Sequence, residues 1–437
     1  MEERVTWVTI AKALEALKQY PLCDRCLGRL FARLGYGWSN RERGDAIKRV
    51  IIMELHRAAK EGGGEGFLVE VAPHIGSQAE GVYRLLTGRQ LEPEPCYICG
   101  GKLDKVISMA IERGMKLLRT YEISRFIVGV RVDERSVIER EEKLKMELGL
   151  PHGESIKSEV RREVGKTLME LGVAEVDFEE PEATLLIHFP SGEVEIQVNS
   201  LLIKGAYWKL ARNVSQAYWP SPQGPRYFSV EQALWPLLGV LGAESIVVHA
   251  AGREDVDARM LGGGRPLIVE VKQPRKRRVS LEALEDEANK GGRGLVKFKF
   301  YSLARRAEVR LYKEEASKVR KTYRALVVVE RAVADGDVEV LEKEFEGRTV
   351  VQRTPKRVLH RRPDIVRRKI VYGVKCRRAT PHLLDCLVEA EGGLYVKELI
   401  SGDDGRTSPS FTEVLGARAE CVELDVVWVE REGMGEA

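Results

Sequence analysis

The chain has 437 residues, 43% of them hydrophobic and 32% charged, with a formal net charge of +4 at neutral pH. That length holds two or three domains with cores of their own. No run of about 18 apolar residues occurs, which excludes a membrane-spanning helix, and so balanced a charge leaves any nucleic-acid partner to be argued from local clusters. Met1-Glu2-Glu3-Arg4 leads into an amphipathic segment and not an apolar signal, so a cytoplasmic protein is expected. Many ion-pair formers beside few asparagines (Asn40, Asn199, Asn213, Asn289) fit a thermophile.

Val8, Ala11, Leu14 and Leu17 recur at helical spacing and predict a helix over 5–19 that stops before Pro21. Cys23-Asp24-Arg25-Cys26 then turns into a second helix, and Cys96-Tyr97-Ile98-Cys99 sits on a Gly100-Gly101 knuckle. The thiolates of Cys23, Cys26, Cys96 and Cys99 suit a closed tetrahedral zinc site, with redox activity or free buried thiols as the alternatives at this point. Cys376, Cys386 and Cys421 sit among apolar neighbours and read as buried small hydrophobes. The insert between the pairs carries a predicted helix from Arg41 to Ala59. Its Gly62-Gly63-Gly64-Glu65-Gly66 run is a flexible loop without the Lys-Ser or Lys-Thr of a phosphate loop.

Farther on, Leu103 to Glu122, Glu134 to Leu148 and Ser155 to Gly172 read as helices. Arg125 to Val132, Ala183 to Phe189 and Val194 to Val198 read as strands, the last two around Pro190-Ser191-Gly192. This alternation predicts an α+β RNA-binding accessory region over 1–190 and a second, catalytic domain over 191–437. Leu202 to Arg212 interleaves Tyr207 and Trp208 with Lys204, Lys209 and Arg212, the mixture that stacks bases and pairs phosphates. Ser229-Val230-Glu231-Gln232 caps a helix over 233–240.

Ser245-Ile246-Val247-Val248 and Pro266 to Val271 read as strands flanking a polar crossing, Ala250 to Gly262, that carries Arg253, Glu254, Asp255, Asp257 and Arg259. A carboxylate held among arginines stays ionised at neutral pH, which suits a nucleophile or base. A basic run spans 274–278, a short helix is expected over 281–288, and Val296 to Phe300 and Lys318 to Val329 read as strands. Residues 352–369 hold six Arg and two Lys against one Asp, a density that phosphates would offset.

Gly252-Arg253-Glu254-Asp255-Val256-Asp257-Ala258-Arg259-Met260-Leu261-Gly262, followed by Gly264-Arg265-Pro266, resembles the signature of the archaeal-type tRNA pseudouridine-54/55 synthases, a THUMP-containing branch of the pseudouridine synthase superfamily. Gln352-Arg353-Thr354-Pro355, Gly392-Gly393-Leu394-Tyr395-Val396-Lys397 and Gly405-Arg406-Thr407 resemble further motifs of that branch, and Glu154 to Gly165 its THUMP region. The resemblance implies an α+β chain with an N-terminal zinc knuckle and THUMP-like region, then a mixed-sheet catalytic domain. It makes Asp255 the catalytic carboxylate, with Asp257 off the Gly-Arg-x-Asp spacing. Tyr323 would stack on the target uracil, Val396 and Leu424 would form an apolar wall, and Lys397, with Arg253, would hold the carboxylate ionised. Lys209, Arg212, Arg353, Arg357, Arg361 and Arg362 would meet RNA. The implied reaction isomerises uridine 55, and uridine 54 with it, in the T loop of tRNA, with structural zinc and without a catalytic cofactor. A non-catalytic or differently acting THUMP-type tRNA-binding protein is the alternative; the first of these would tolerate Asp255→Asn.

Overall fold

A computed structural model of the chain describes residues 8–221, 224, 226–315 and 319–430, with the backbone alone at 311–315. The expected helix start at 5–7 and Lys318 lie outside the described residues. Two compact units meet at Asn199 and Ser200.

The first unit opens with helices α1 (Val8–Gln19), α2 (Asp24–Leu30), α3 (Asn40–Lys60), α4 (Glu65–Ile75) and α5 (Glu80–Thr87). Ser39 and Glu42 close a capping box at the head of α3, satisfying two amides that the first turn leaves without helical partners. The expected loop over 62–66 is shorter than its glycines suggest, because α4 begins at Glu65. After α6 (Leu103–Thr120) come β1 (Arg125–Val132), α7 (Arg135–Glu147), α8 (Ile156–Glu170), β2 (Glu175–Val176), β3 (Ala183–Phe189) and β4 (Val194–Val198). The sheet order is β2-β1-β3-β4, with β1 parallel to β2 and β3. Along β3, Ala183, Leu185, Ile187 and Phe189 are fully buried, the period-two pattern of a strand with one face on a core. Since β3 and β4 pair from Ala183–Val198 to Ile187–Val194, a cut after 190 would separate paired strands.

The second unit is built on a mixed ten-stranded sheet. Its first half holds β5 (Leu201–Lys209), a small pair of β6 (Val214–Ser215) and β7 (Phe228–Ser229) outside the sheet, α9 (Val230–Ala233), α10 (Pro236–Leu241), β8 (Ser245–Ala250) and β9 (Arg259–Lys272). The single helix expected over 233–240 is split, because Pro236 has no amide to carry the helical ladder through. Then follow α11 (Leu281–Gly292), β10 (Val296–Leu303), α12 (Arg306–Glu315), β11 (Arg320–Val329), α13 (Asp335–Glu344), β12 (Arg348–Arg353), β13 (Val366–Thr380) and β14 (Leu383–Glu391). The last elements are α14 (Val396–Ser401), β15 (Thr407–Ser408), α15 (Phe411–Leu415) and β16 (Ala419–Val429). Strands run in the order β10-β5-β9-β16-β11-β14-β13-β12-β15, with β8 paired to β9.

Two expectations are corrected here. Strand β9 begins at Arg259 and not at Pro266, because Arg259 and Met260 pair in parallel with Asp425 and Val426 of β16. Gly262 fits that crowded start: a Cβ there would stand 1.7 Å from the Val427 carbonyl oxygen. Cys376 and Cys386 are not free hydrophobes. They face each other across the β13–β14 ladder and are joined by a disulfide, a pairing that only the strand register reveals. No helix among the described residues is long and apolar enough to cross a membrane.

Candidate active site

The crossing between β8 and β9 is an eight-residue turn, 251–258, braced from beneath by a buried polar network. Arg265 on β9 donates from Nε to Glu254 Oε2 (2.8 Å) and from Nη1 to the Ala251 carbonyl (2.8 Å). The Tyr207 hydroxyl donates to Glu254 (3.0 Å), and Gln216 Nε2 donates to Tyr207 Oη (2.9 Å) and to the Gly252 carbonyl (3.0 Å). Burial alone would push the Glu254 carboxyl up; Arg265 and Lys209 outweigh it and hold it below its ordinary value.

Lys209, expected to meet RNA, is fully buried instead. Its Nζ donates to the carbonyls of Val214 (2.9 Å), Asp255 (2.8 Å) and Val256 (3.2 Å), so it fixes the backbone on which Asp255 is mounted. Arg212 lies on the same brace, bonded to the Asp257 and Leu424 carbonyls (both 2.9 Å) and to Glu423 (2.8 Å) and Asp425 (3.0 Å). Both cations carry the turn, Lys209 from inside the fold and Arg212 from its partly exposed edge.

Above this brace opens a cleft of about 730 Å³. Asp255 lies in it, and its Oδ1 accepts from Arg357 Nη1 at 2.9 Å. Arg357 in turn donates from Nε to Glu398 Oε1 (2.7 Å). Lys397 lies closer to Asp257 (2.6 Å) than to Asp255 (3.9 Å). Burial raises the Asp257 carboxyl, but the Lys397 ammonium prevails and lowers it. The carboxylate expected to be held by Lys397 and Arg253 is thus held most closely by Arg357, and Arg253 instead stacks over Trp219 at 5.8 Å.

Tyr323, Leu394, Val396, Leu424 and Val426 give the cleft an apolar wall. Tyr323 is 9% exposed, and burial pushes its hydroxyl up to about 12, against the pull of Arg265 and with the Asp255 charge adding to it. Arg361, Arg362, Arg367 and Lys369 line the cationic side. Arg353 is not among the lining residues; it is about half exposed and pairs with Asp364 at 2.9 Å. Lys321, two residues before Tyr323 on the same face of β11, also faces the cleft while only 5% exposed. Its Nζ stands 3.1 Å from where a Cβ on Gly252 would lie, beside Arg265 Nη1.

Residues 202–430 match the family described as Pus10, C-terminal, and residues 111–188 match the Pus10 THUMP domain, archaeal. Over 437 residues, 99% of this chain and 99% of its relative, the sequence is 61% identical to the tRNA pseudouridine synthase Pus10 of Aeropyrum pernix. The chain belongs to the Pus10 family of tRNA pseudouridine synthases. The Pus10 of Ignisphaera aggregans is 41% identical over 94% of this chain and 97% of its own, and that of Thermofilum pendens 39% over 95% and 94%. A solved Cbf5-Nop10-Gar1 complex aligns over 52% of this chain and 48% of its own at 17% identity and a TM-score of 0.30, a likeness too slight to bear on the fold.

In the first unit the four predicted thiols converge. Cys23 precedes α2, Cys26 lies in its first turn, and Cys96 and Cys99 sit on the turn before α6, which Tyr97 fastens by donating its amide to the Pro21 carbonyl (2.7 Å). The four Sγ atoms lie within 4.8 Å of one another, and Cys23 and Cys99 are 3.7 Å apart. Metal–sulfur bonds of about 2.3 Å in a tetrahedron give edges of about 3.8 Å, so the donor set fits a metal ion. Beside it, fully buried Arg29 donates to Cys26 Sγ (3.5 Å), Glu141 (2.9 Å) and Glu159 (2.9 Å).

Sequence reasoning missed the Arg357–Asp255 pair, the Glu254–Arg265 brace and Lys321. Glu254 and Arg265 both fall within the signature stretch, which was the available signal; nothing local marks Arg357 apart from the arginines around it.

Proposed function

We propose that this chain isomerises uridine to pseudouridine in the T loop of tRNA, at position 55 and at position 54 with it, using Asp255 as nucleophile or base at the ribose. The observation that carries the reading is the setting of Asp255: a carboxylate fixed by Arg357 in a cation-lined cleft, opposite an apolar wall of Tyr323, Val396 and Leu424. A uracil taken out of its stack has an aromatic ring and aliphatic side chains to lie against, while its flanking phosphates meet Arg361, Arg362 and Arg367. Arg357 orients Asp255 through a 2.9 Å bond, and Lys397 reaches the same carboxylate at 3.9 Å while anchoring Asp257. In the first unit, zinc held by Cys23, Cys26, Cys96 and Cys99 would supply a structural cross-link between two knuckles.

The test is pseudouridine mapping by carbodiimide adduct and primer extension on an unmodified tRNA transcript, with wild type and with Asp255→Asn. Product at the T loop from wild type alone is the expected result, and the stop positions separate 54 from 55. Salt-dependent binding by both proteins with product from neither would leave a tRNA-binding protein.

A further inference from the structure

We propose that Lys321 is a further catalytic residue of this site, its ammonium donating to a carbonyl oxygen of the target uracil while the base is detached from the ribose. The inference rests on the isomerase reading above and adds a contact that reading does not contain. Lysine is among the residue types least often buried, yet Lys321 is 5% exposed on the central strand β11, where Ala390 and Val429 stand opposite it. Its side chain shares the face of Tyr323, the ring expected beneath the uracil, and reaches the turn at Gly252, three residues before Asp255.

The chemistry has a place for such a cation. When the N1–C1′ bond breaks, its electron pair stays on the base, and the charge of the uracil anion spreads over N1, O2 and O4. The matching deficit at the ribose is met by Asp255, through a bond to C1′ or by taking a ribose proton that is later returned. When C5 bonds to C1′ the pair is shared again, C5 releases its proton and N1 takes one up, so nothing is oxidised and no co-reactant enters. Lys321 keeps its own proton throughout. A preorganised donor aimed at charge that develops during reaction acts most strongly in a dry site.

The charged groups around Lys321 make it responsive to pH. Burial, Arg265 and Lys369 pull its ammonium down to about 7, with Glu254 opposing. Asp255 and Tyr323 face the same cleft, and Lys369 is itself paired with Glu391. Since the neutral amine is a much weaker donor and carries no charge, the rate at subsaturating enzyme falls as pH rises through the neutral range.

The experiment is single-turnover pseudouridine formation on tRNA transcript from pH 6 to 9, at saturating and subsaturating enzyme, for wild type, Lys321→Met, Lys321→Arg and Asp255→Asn, with tRNA affinity and thermal melts recorded alongside. Lys321→Met is expected to lose about 100-fold in rate at saturation with tRNA affinity held. Lys321→Arg should recover part of that rate and lose the alkaline fall, since a guanidinium stays charged. A Lys321→Met rate equal to wild type at saturation, with or without weaker binding, overturns the proposal. Where Lys321→Met proves unfolded, Lys321→Arg decides: a wild-type rate with an unchanged alkaline fall overturns it. If wild type makes no pseudouridine the isomerase reading fails and this one with it, whereas turnover by wild type and Lys321→Met alike sinks this one only.

Discussion

Replacing Arg265 with Met removes one partner of a buried ion pair and leaves the other in place. Arg265 and Glu254 have side chains 2% and 1% exposed with a nitrogen–oxygen distance of 2.8 Å, so the solvent screening that weakens surface pairs is absent. Stranding a charge in such a place costs about 3–5 kcal/mol. For a unit of this size each kcal/mol moves Tm by about 2–4 °C, a fall of about 6–20 °C. The pH dependence follows from the Glu254 carboxyl. In the wild type its value is lowered, so the stability it confers is present above the unfolded value of about 4.3 and lost as pH falls below it. Removing Arg265, the largest of the groups that lower the Glu254 carboxyl, moves its folded value up, so protonation costs the variant less as pH drops. The gap between wild type and variant therefore narrows from pH 7 to pH 5. Guanidinium titration followed by tryptophan fluorescence measures it, because four of the six tryptophans, Trp208, Trp219, Trp235 and Trp428, lie in the second unit. Arg265→Met/Glu254→Gln should return to within about 2 kcal/mol of wild type, as neighbours in one network are not additive. Coincident midpoints for wild type and Arg265→Met at pH 7, or a gap that does not change with pH, would refute the account of the brace.

Arg357→Met removes the closest cation from Asp255 while leaving the other lining arginines, so product formation should fall by about 10-fold or more with tRNA affinity changed far less; equal losses of both would make Arg357 a phosphate contact. Arg29→Met withdraws a donor from Cys26 Sγ beside a site of four thiolates, and metal affinity in chelator competition should drop by about 10–100-fold; an unchanged affinity would mean that Arg29 serves only Glu141 and Glu159.

What the sequence made legible was what it keeps contiguous. Asp255 stands out because its glycine, arginine and glutamate neighbours surround it in a single turn, and the four thiols because each half of the site is a pair two residues apart. Period-two burial made β3 readable in the same way. Contacts across long separations were not legible. Asp255 and Arg357 lie 102 residues apart, and one arginine among six in a basic stretch carries no mark of which carboxylate it will meet. Lys209 and Arg212 looked like RNA contacts because charge is normally solvated; the burial of Lys209 and the partial burial of Arg212 depend on carbonyls of a turn folded beside them, which no local pattern encodes. The same holds for Cys376 and Cys386, which face each other only once β13 and β14 have fixed their register.

The position of β16 has a consequence for how the enzyme is made. This strand lies between β9 and β11, and it carries Leu424 of the apolar wall and Asp425, which Arg259 grips with two bonds of 2.9 and 2.7 Å. Without residues 419–429, no strand pairs the half of the sheet next to the Asp255 turn with the half that bears Tyr323. On the reading proposed above, a chain cut before β16 lacks the strand that lies between the Asp255 half of the sheet and the Tyr323 half, and should be silent in pseudouridine mapping.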